Sequence, residues 1–209
     1  MSLINLNISE VSLISKGLLT DDRRQLADHL VRVALASVDA RQATLRALES
    51  LRGLVPLNGC TVFAVGKAAL PMAKAILEQV EVKQGVVHCF ESGALGPLKL
   101  VRARHPLPAD DAVERGQEVL ELASSLTTSD VALCLISGGG SAMLERPRPG
   151  VSLAQIAEES ERLMRSGANI IALNQRRRQL SMIKGGGLSA AIKPALVVNI
   201  IMSDTPGAP

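Results

Sequence analysis

Aromatic side chains are almost absent from this sequence of 209 residues, which has no Trp, no Tyr and only two Phe. Proteins that bind single-stranded nucleic acid stack the bases on aromatic rings. The net charge of +3, from 23 basic and 20 acidic residues, is also too small to indicate a polyanionic partner. Both deficits argue against nucleic acid as the ligand.

Cysteine and long apolar runs are scarce too. Cys60, Cys89 and Cys134 each lie in or beside a strand-like run, with no C-x-x-C and no His at ligand spacing. We expect them to be buried thiols in a reducing compartment.

The apolar run at 195–202 is too short to span a bilayer and contains Asn199. No signal peptide is evident, so the sequence predicts a cytoplasmic protein with no membrane partner.

Strand and helix patterns alternate along most of the chain. Residues 1–19 have no clear period and are predicted to form an N-terminal arm, and residues 20–209 an α/β domain. Strands are predicted at 60–65, 86–90, 98–103, 131–136 and 195–202. Helices are predicted from the Thr20–Asp22 cap through Val38, at 40–51, from Ala69 to about Val80, and at 111–126, 153–165 and 168–182. This alternation predicts a Rossmann-like parallel sheet with helices on both faces, a three-layer α/β/α fold.

The loop after the 131–136 strand is the most informative stretch. It reads Ser137-Gly138-Gly139-Gly140-Ser141. Three glycines permit positive φ and let backbone N–H groups converge on an anion, and the serine hydroxyls add two donors. The alternative is a tight turn that needs unusual backbone angles. The triplet matches neither Walker A, nor G-x-G-x-x-G, nor G-x-S-x-G, so it leaves phosphate and carboxylate open as ligands.

Other polar or glycine-rich loops also follow predicted strands, namely Gly66-Lys67, Glu91–Gly93 and Ser203-Asp204. Ligands of parallel sheets bind beyond the carboxyl ends of the strands. The Lys67 ammonium could neutralise a phosphate. The alternative interpretation is that Lys67 is an ordinary solvated lysine. Asp204 is suited equally to hold Mg²⁺ or to cap the next element.

A second basic region lies further along the chain. Lys184 beside Gly185 and Gly186 resembles the first lysine–glycine pair, with Arg177 and Arg178 nearby in sequence. For the arginines, a solvated helix face is the alternative.

Several of these segments together resemble one family. Leu135-Ile-Ser-Gly-Gly-Gly-Ser-Ala142 is similar to the signature of the glycerate 2-kinases, a family that also carries the name hydroxypyruvate reductase and has a MOFRL domain at its C-terminus. The other segments that agree, in order, are 65–69, 105–108, 166–168, Asn174 with Arg177, 180–186 and 203–207. The match runs from about Asp22 to the last residue.

The resemblance implies a two-domain clamp that uses ATP and Mg²⁺ to phosphorylate D-glycerate, a small-molecule substrate, to 2-phosphoglycerate. It implies Lys67 as the catalytic lysine. The nucleotide-binding and phosphate-binding positions that it implies, with the loops described above, are Gly66, Ser137, Gly138, Gly139, Gly140, Ser141, Asn174, Arg177, Lys184, Gly185 and Gly186. Asp204 is the candidate Mg²⁺ ligand.

Members of the family are roughly twice as long as this sequence. We therefore expect an N-terminal domain without the MOFRL domain, with impaired activity by itself, and either self-association or a separate C-terminal chain as partner. Two other functions stay open: a non-catalytic module that binds a nucleotide or phosphate, and a hydroxypyruvate reductase that uses NAD(P)H. The absence of G-x-G-x-x-G after Val65 argues against the reductase.

Overall fold

The computed structural model describes residues 21–105, 111–193 and 195–203. The chain divides into two compact units between Asp39 and Ala40. In the first unit, helix α1 covers Asp21–Ser37 and has Asp21 and Asp22 in its first turn, where the positive end of the helix dipole favours acidic residues. The predicted arm at 1–19 and the predicted Mg²⁺ ligand Asp204 both lie outside the described residues.

The second unit alternates strands and helices, as the sequence patterns predict. Its elements are α2 Ala40–Leu51, β1 Cys60–Val65, α3 Ala69–Gln79, β2 Val82–Cys89, β3 Gly93–Leu95, β4 Leu98–Arg102, α4 Ala112–Ser124, β5 Val131–Ile136, α5 Gly140–Met143, α6 Leu153–Arg165, α7 Ile170–Leu180, α8 Gly187–Ile192 and β6 Leu196–Ile201. The elements that the sequence did not predict, β3, α5 and α8, have six residues or fewer, too few to display a period. Strand β2 also begins four residues earlier than predicted.

The strands form one six-stranded sheet in the order β3-β4-β2-β1-β5-β6. All neighbouring pairs are parallel except β3 and β4, which form an antiparallel hairpin. Gly96 in the hairpin turn has φ 56°, a left-handed conformation that glycine adopts without steric cost. The α/β fold is thus confirmed, with an antiparallel edge strand added.

The strand order reverses beside β1. The chain passes from β1 outward to β2 and β4, and then returns to place β5 on the other side of β1. Ligands of open α/β sheets bind at such a switch point, because the connections on its two sides leave in opposite directions. Val65 and Ile136, the last residues of β1 and β5, are paired in register. The loops that follow them therefore start side by side.

Helices cover both faces of the sheet. On one face, α2 and α3 pack through Leu48, Met72 and Ile76 against strand residues that include Val62 and Leu133. On the other face, α4 and α8 pack over a second apolar core. Its buried residues include Phe63, Val86, Val119, Cys134, Leu144 and Ile192. These two apolar layers hold the carboxyl edge of the sheet, and the loops on it, in a fixed arrangement.

The prediction that the cysteines are buried is confirmed. Cys60, Cys89 and Cys134 are buried and free. Burial raises the pKa of Cys60 and of Cys134 to about 11, so both stay as thiols at neutral pH. Within the described ranges, no helix combines the length and the apolar character needed to cross a membrane.

Candidate functional site

The loops after β1 and β5 are joined by a short set of hydrogen bonds. Ser137 N donates to Val65 O at 3.0 Å, and Lys67 N donates to Gly138 O at 2.8 Å. The Ser137 hydroxyl accepts from Ala68 N at 3.1 Å. Gly66 has φ 122°, and a Cβ at this position would overlap Ser137 Oγ and lie 2.5 Å from Ser137 O. Only glycine at position 66 lets the two loops approach this closely.

Gly139 lies between two side chains from other loops. Its φ is 86°, and a Cβ at this position would lie 2.9 Å from His105 Cδ2 and 3.2 Å from Lys67 Cγ. His105 follows β4 and Lys67 follows β1, so three loops of the sheet's carboxyl edge meet here. Because both side-chain atoms are close to one point, they lie within about 6 Å of each other.

A cleft of about 550 Å³ opens beside the glycine loop. The sequence-predicted site residues that line it are Ser137, Gly138, Gly139, Gly140, Ser141, Asn174, Arg177, Lys184, Gly185 and Gly186. The structure therefore brings together two segments that are more than thirty residues apart in sequence. Gly66 and Lys67 are not among the described residues that line the cleft, but both contact the glycine loop.

The inner part of the cleft is largely apolar. Phe63, Cys134, Leu144 and Leu188 are among its lining residues. His88, on β2, also lines it and is 2% exposed, and neither ring nitrogen has a hydrogen-bond partner in the described structure. Burial, with a smaller contribution from Arg115, lowers the pKa of His88 to about 4. The imidazole is therefore neutral at physiological pH.

Glu145 joins the exit of the glycine loop to the second glycine turn. Its side chain is 3% exposed and forms an ion pair with Lys184 Nζ. Glu145 Oε1 accepts from Ser181 Oγ at 2.5 Å and from Arg146 N at 2.9 Å. The Ser181 hydroxyl in turn accepts from Ile183 N and Lys184 N, both at 3.1 Å. One buried carboxylate thus positions the turn that carries Lys184, Gly185 and Gly186.

Lys184 is consequently not a free surface cation. Its side chain is 12% exposed, and burial lowers its pKa while the Glu145 carboxylate opposes that shift. Sequence reasoning did not identify Glu145, because a glutamate in a polar segment before Pro147 resembles an ordinary surface residue. Only its contact with Ser181, 36 residues away, indicates its role.

Helix α7 contributes the arginines of the cleft. Arg177 and Arg178 both line it, and Arg177 Nε donates to Ser160 Oγ on α6 at 3.1 Å. A Cβ on Gly185 would lie 3.1 Å from Arg178 Cβ, so the absence of a side chain at Gly185 lets the turn pack closely against Arg178 on α7. The helix α7 itself starts at an Asn169 cap, whose Oδ1 accepts from Ala172 N at 2.9 Å. Two arginines of α7 therefore line the same cleft as the glycine loop.

The donors around the cleft are of the kinds that bind phosphate groups. Glycine backbone, serine hydroxyls and two arginines are typical phosphate ligands. Among the described residues, no three His, Cys, Asp or Glu side chains lie together as a metal site would require. Asp204 lies outside these residues, so its assignment to Mg²⁺ stays a prediction.

Comparisons with known proteins identify the family of this chain. Residues 26–209 match the family described as "Domain of unknown function (DUF4147)". The chain is 35% identical over 189 residues to "D-glycerate 2-kinase" of Thermotoga maritima and 34% identical over 196 residues to "Glycerate 2-kinase" of Pyrococcus horikoshii. These matches cover 88% and 89% of this chain, but 44% of each relative.

The fold is similar to that of a solved relative. The crystal structure of glycerate kinase from Thermotoga maritima matches with a TM-score of 0.83 and 34% identity, over 91% of this chain and 46% of that one. The chain thus spans less than half the length of the relatives that it matches.

Proposed function

The chain belongs to the family described as a domain of unknown function, DUF4147, and we propose that it binds ATP for the transfer of the γ-phosphoryl group to D-glycerate, giving 2-phosphoglycerate. The observation that carries the proposal is the junction of the Gly66 and Ser137 loops at the switch point of the sheet, with Arg177, Arg178 and Lys184 around the same cleft. The names of its relatives support the choice of glycerate as the acceptor. A cytoplasmic location belongs to the same proposal.

Such a transfer needs positioning and charge neutralisation more than covalent chemistry by the protein. The acceptor oxygen forms a bond to the γ-phosphorus, the bond from that phosphorus to the bridging oxygen of ADP breaks, and the hydroxyl proton passes to solvent or to a nearby base. In our proposal the Ser137–Ser141 loop donates N–H and hydroxyl groups to the phosphates. Arg177, Arg178 and Lys184 offset their negative charge.

Lys67 has a distinct part in the proposal. Its backbone N–H donates to Gly138 O, and its Cγ would lie 3.2 Å from a Cβ on Gly139, so the Lys67 side chain starts beside the glycine loop. We propose that it stabilises the charge that develops on the transferred group. Mg²⁺, which Asp204 would help to hold, would supply further neutralisation of the phosphate charge.

Binding without turnover is the second candidate function. Lys184 already has a buried carboxylate partner, Glu145, which offsets the charge of its ammonium. A cleft that holds a nucleotide but lacks some of the catalytic groups would behave as a binding module.

Titration calorimetry of the purified chain with Mg-ATP, Mg-ADP and NADH tests the proposal, followed by a coupled assay for D-glycerate phosphorylation. We expect Mg-ATP and Mg-ADP to bind and NADH not to bind. Phosphorylation of D-glycerate distinguishes the kinase from the binding module. Absence of nucleotide binding to the parent chain would contradict both.

Two pairs of variants test the named loops. Gly139→Val places a side chain against His105 and Lys67, whereas Gly53→Val has a similar positive φ, 74°, with nothing within 4 Å of the added Cβ. Lys67→Ala is matched by Lys74→Ala, an exposed lysine on α3. We expect nucleotide affinity to fall at least tenfold in Gly139→Val, a loss of about 1.4 kcal/mol in binding free energy, and to stay within twofold in Gly53→Val. Lys67→Ala should reduce turnover, and Lys74→Ala should not.

A further inference from the structure

A second pocket lies next to the cleft, beyond the carboxyl end of β4, and most of the charged residues among its described lining are basic. The side chains that line it include Phe90, Arg102, Arg104, His105, Asp111 and Arg115. Arg115 forms an ion pair with Asp111, the residue before α4, so that positive charge is neutralised. Among the described residues, no acidic side chain forms an ion pair with Arg102 or Arg104. We call these residues the basic pocket.

The basic pocket adjoins the glycine loop. His105 lines the basic pocket, and its ring also lies close to Gly139. The Lys67 side chain is close to the same glycine. The imidazole and the lysine side chain are within about 6 Å of each other. Because Arg102 ends β4 and Lys67 follows β1, both belong to the carboxyl edge of the sheet. A ligand a few atoms long in the basic pocket would therefore reach the glycine loop.

The donor set favours a carboxylate over a neutral ligand. Guanidinium groups bind carboxylates through two parallel N–H···O bonds, and their planar fork gives directional preference as well as charge. The pocket differs in composition from the cleft, where backbone glycines and serine hydroxyls accompany the cations. The two regions are thus suited to two different anionic groups, separated by His105 and Gly139.

We infer that the basic pocket binds the carboxylate of the acceptor hydroxy acid through Arg102 and Arg104, and that His105 lies between this acid and Lys67. The inference rests on the proposed kinase function and adds to it the place of the acceptor. A short acid held this way directs its hydroxyl groups toward the glycine loop, where the γ-phosphate would lie. Sequence reasoning identified neither arginine, since single arginines after a strand carry no motif.

The test is calorimetric titration of the 209-residue chain with D-glycerate, glycerol, inorganic phosphate and Mg-ADP. We expect D-glycerate to bind and glycerol, which lacks the carboxylate, not to bind. The double variant Arg102→Gln/Arg104→Gln should lose at least tenfold in D-glycerate affinity while its Mg-ADP affinity stays within twofold. The matched control is Arg165→Gln, which removes an exposed arginine on α6 that is paired with Glu161.

Each outcome has a defined meaning. No D-glycerate binding to the parent chain, or equal D-glycerate affinity in the parent and the double variant, overturns the inference. Inorganic phosphate that competes equally with D-glycerate would make the basic pocket a general anion site and overturn the assignment of the acid. If the parent chain does not bind Mg-ADP, the proposed function is contradicted, and not the inference about the basic pocket alone. Arg104→Lys retains the charge without the fork, and a partial loss with this variant supports the inference where the double variant folds poorly.

Discussion

At the scale of single residues, the missing side chain of Gly66 has the clearest effect on the site. The loops after β1 and β5 approach so closely that a Cβ would overlap Ser137 Oγ, and the backbone φ of 122° is itself unfavourable for other residues. The pattern of glycines in the sequence indicated a ligand loop, but it did not indicate that Gly66 serves the packing of one loop on another.

Gly66→Ala should therefore destabilise the protein more than its loss of conformational freedom alone predicts. We expect a loss of about 3 kcal/mol or more in the free energy of unfolding, since the clash adds to a left-handed strain of about 1–2 kcal/mol. Gly53→Ala, with φ 74° and open space around the added Cβ, is the control for strain alone. Urea unfolding of both variants gives the comparison, and equal losses would contradict the proposed clash.

His88 gives a second prediction at this scale. Burial lowers its folded-state pKa to about 4, below its ordinary value of 6.5, so the unfolded chain binds the proton more readily. The corresponding stability is present above pH 6.5 and is lost as the pH falls toward 4, by about 3 kcal/mol in all. His88→Phe should remove this part of the acid sensitivity, as urea unfolding at pH 7.5, 6.0 and 5.0 would measure. An unchanged pH dependence in His88→Phe would show that folding does not lower the pKa of His88.

At the scale of elements, the bounds of most helices and strands follow from short-range signals. Ser152 and Gln155 have the spacing of a capping box at the start of α6, and both of its hydrogen bonds are present, with Gln155 N donating to Ser152 Oγ at 3.1 Å. The cap, the apolar period and the strand at Val131–Ile136 are all encoded within a few residues. The antiparallel β3 and the short α5 and α8 depend instead on tertiary contacts, so no local pattern predicts them.

The candidate site divides in the same way. Glycine-rich loops and nearby cations could be chosen from sequence because their chemistry is local. The sequence could not show which of these loops lie in contact, because their contacts depend on the order of the strands in the sheet. The structure places Lys67 against Gly139 and gives Lys184 a buried partner, Glu145, which has no sequence signal.

The link between Glu145 and Lys184 predicts strong coupling between two segments. Either Glu145→Gln or Lys184→Met leaves a buried group without its partner, and each should lower the free energy of unfolding by about 3 kcal/mol or more. The double variant should lose less than the sum of the two single losses, because it removes both charges. A double-mutant cycle by urea unfolding measures the coupling. Strictly additive losses would show that the ion pair does not hold the 181–187 turn.

At the scale of the whole molecule, the two edges of the sheet differ. One edge is β3, only three residues long, while the other is β6, with six residues and with Leu196 and Ile201 exposed. Long apolar edge strands tend to pair with further strands, because their outer backbone groups are unpaired. In the described structure the sheet ends at β6.

We therefore predict that the chain self-associates through β6 at high concentration. Sedimentation velocity over a range of concentrations should show a dimer that Ile201→Lys weakens, because the charge opposes pairing at this edge. Leu54→Lys, at a residue that is 76% exposed outside the sheet, is the control and should leave association unchanged. A parent chain that sediments only as a monomer would contradict the prediction.

The reversal of strand order also has a kinetic consequence. The bonds that join Val65 to Ser137 and Ala68 to Ser137 close loops of about 70 residues, whereas α2 and α3 need only local contacts. Contacts between distant segments form slowly, since the chain entropy of a long loop must be overcome before they add stability. During refolding, helical circular dichroism should recover before nucleotide binding does, so a chain that has regained its helices is not yet one that can hold a ligand.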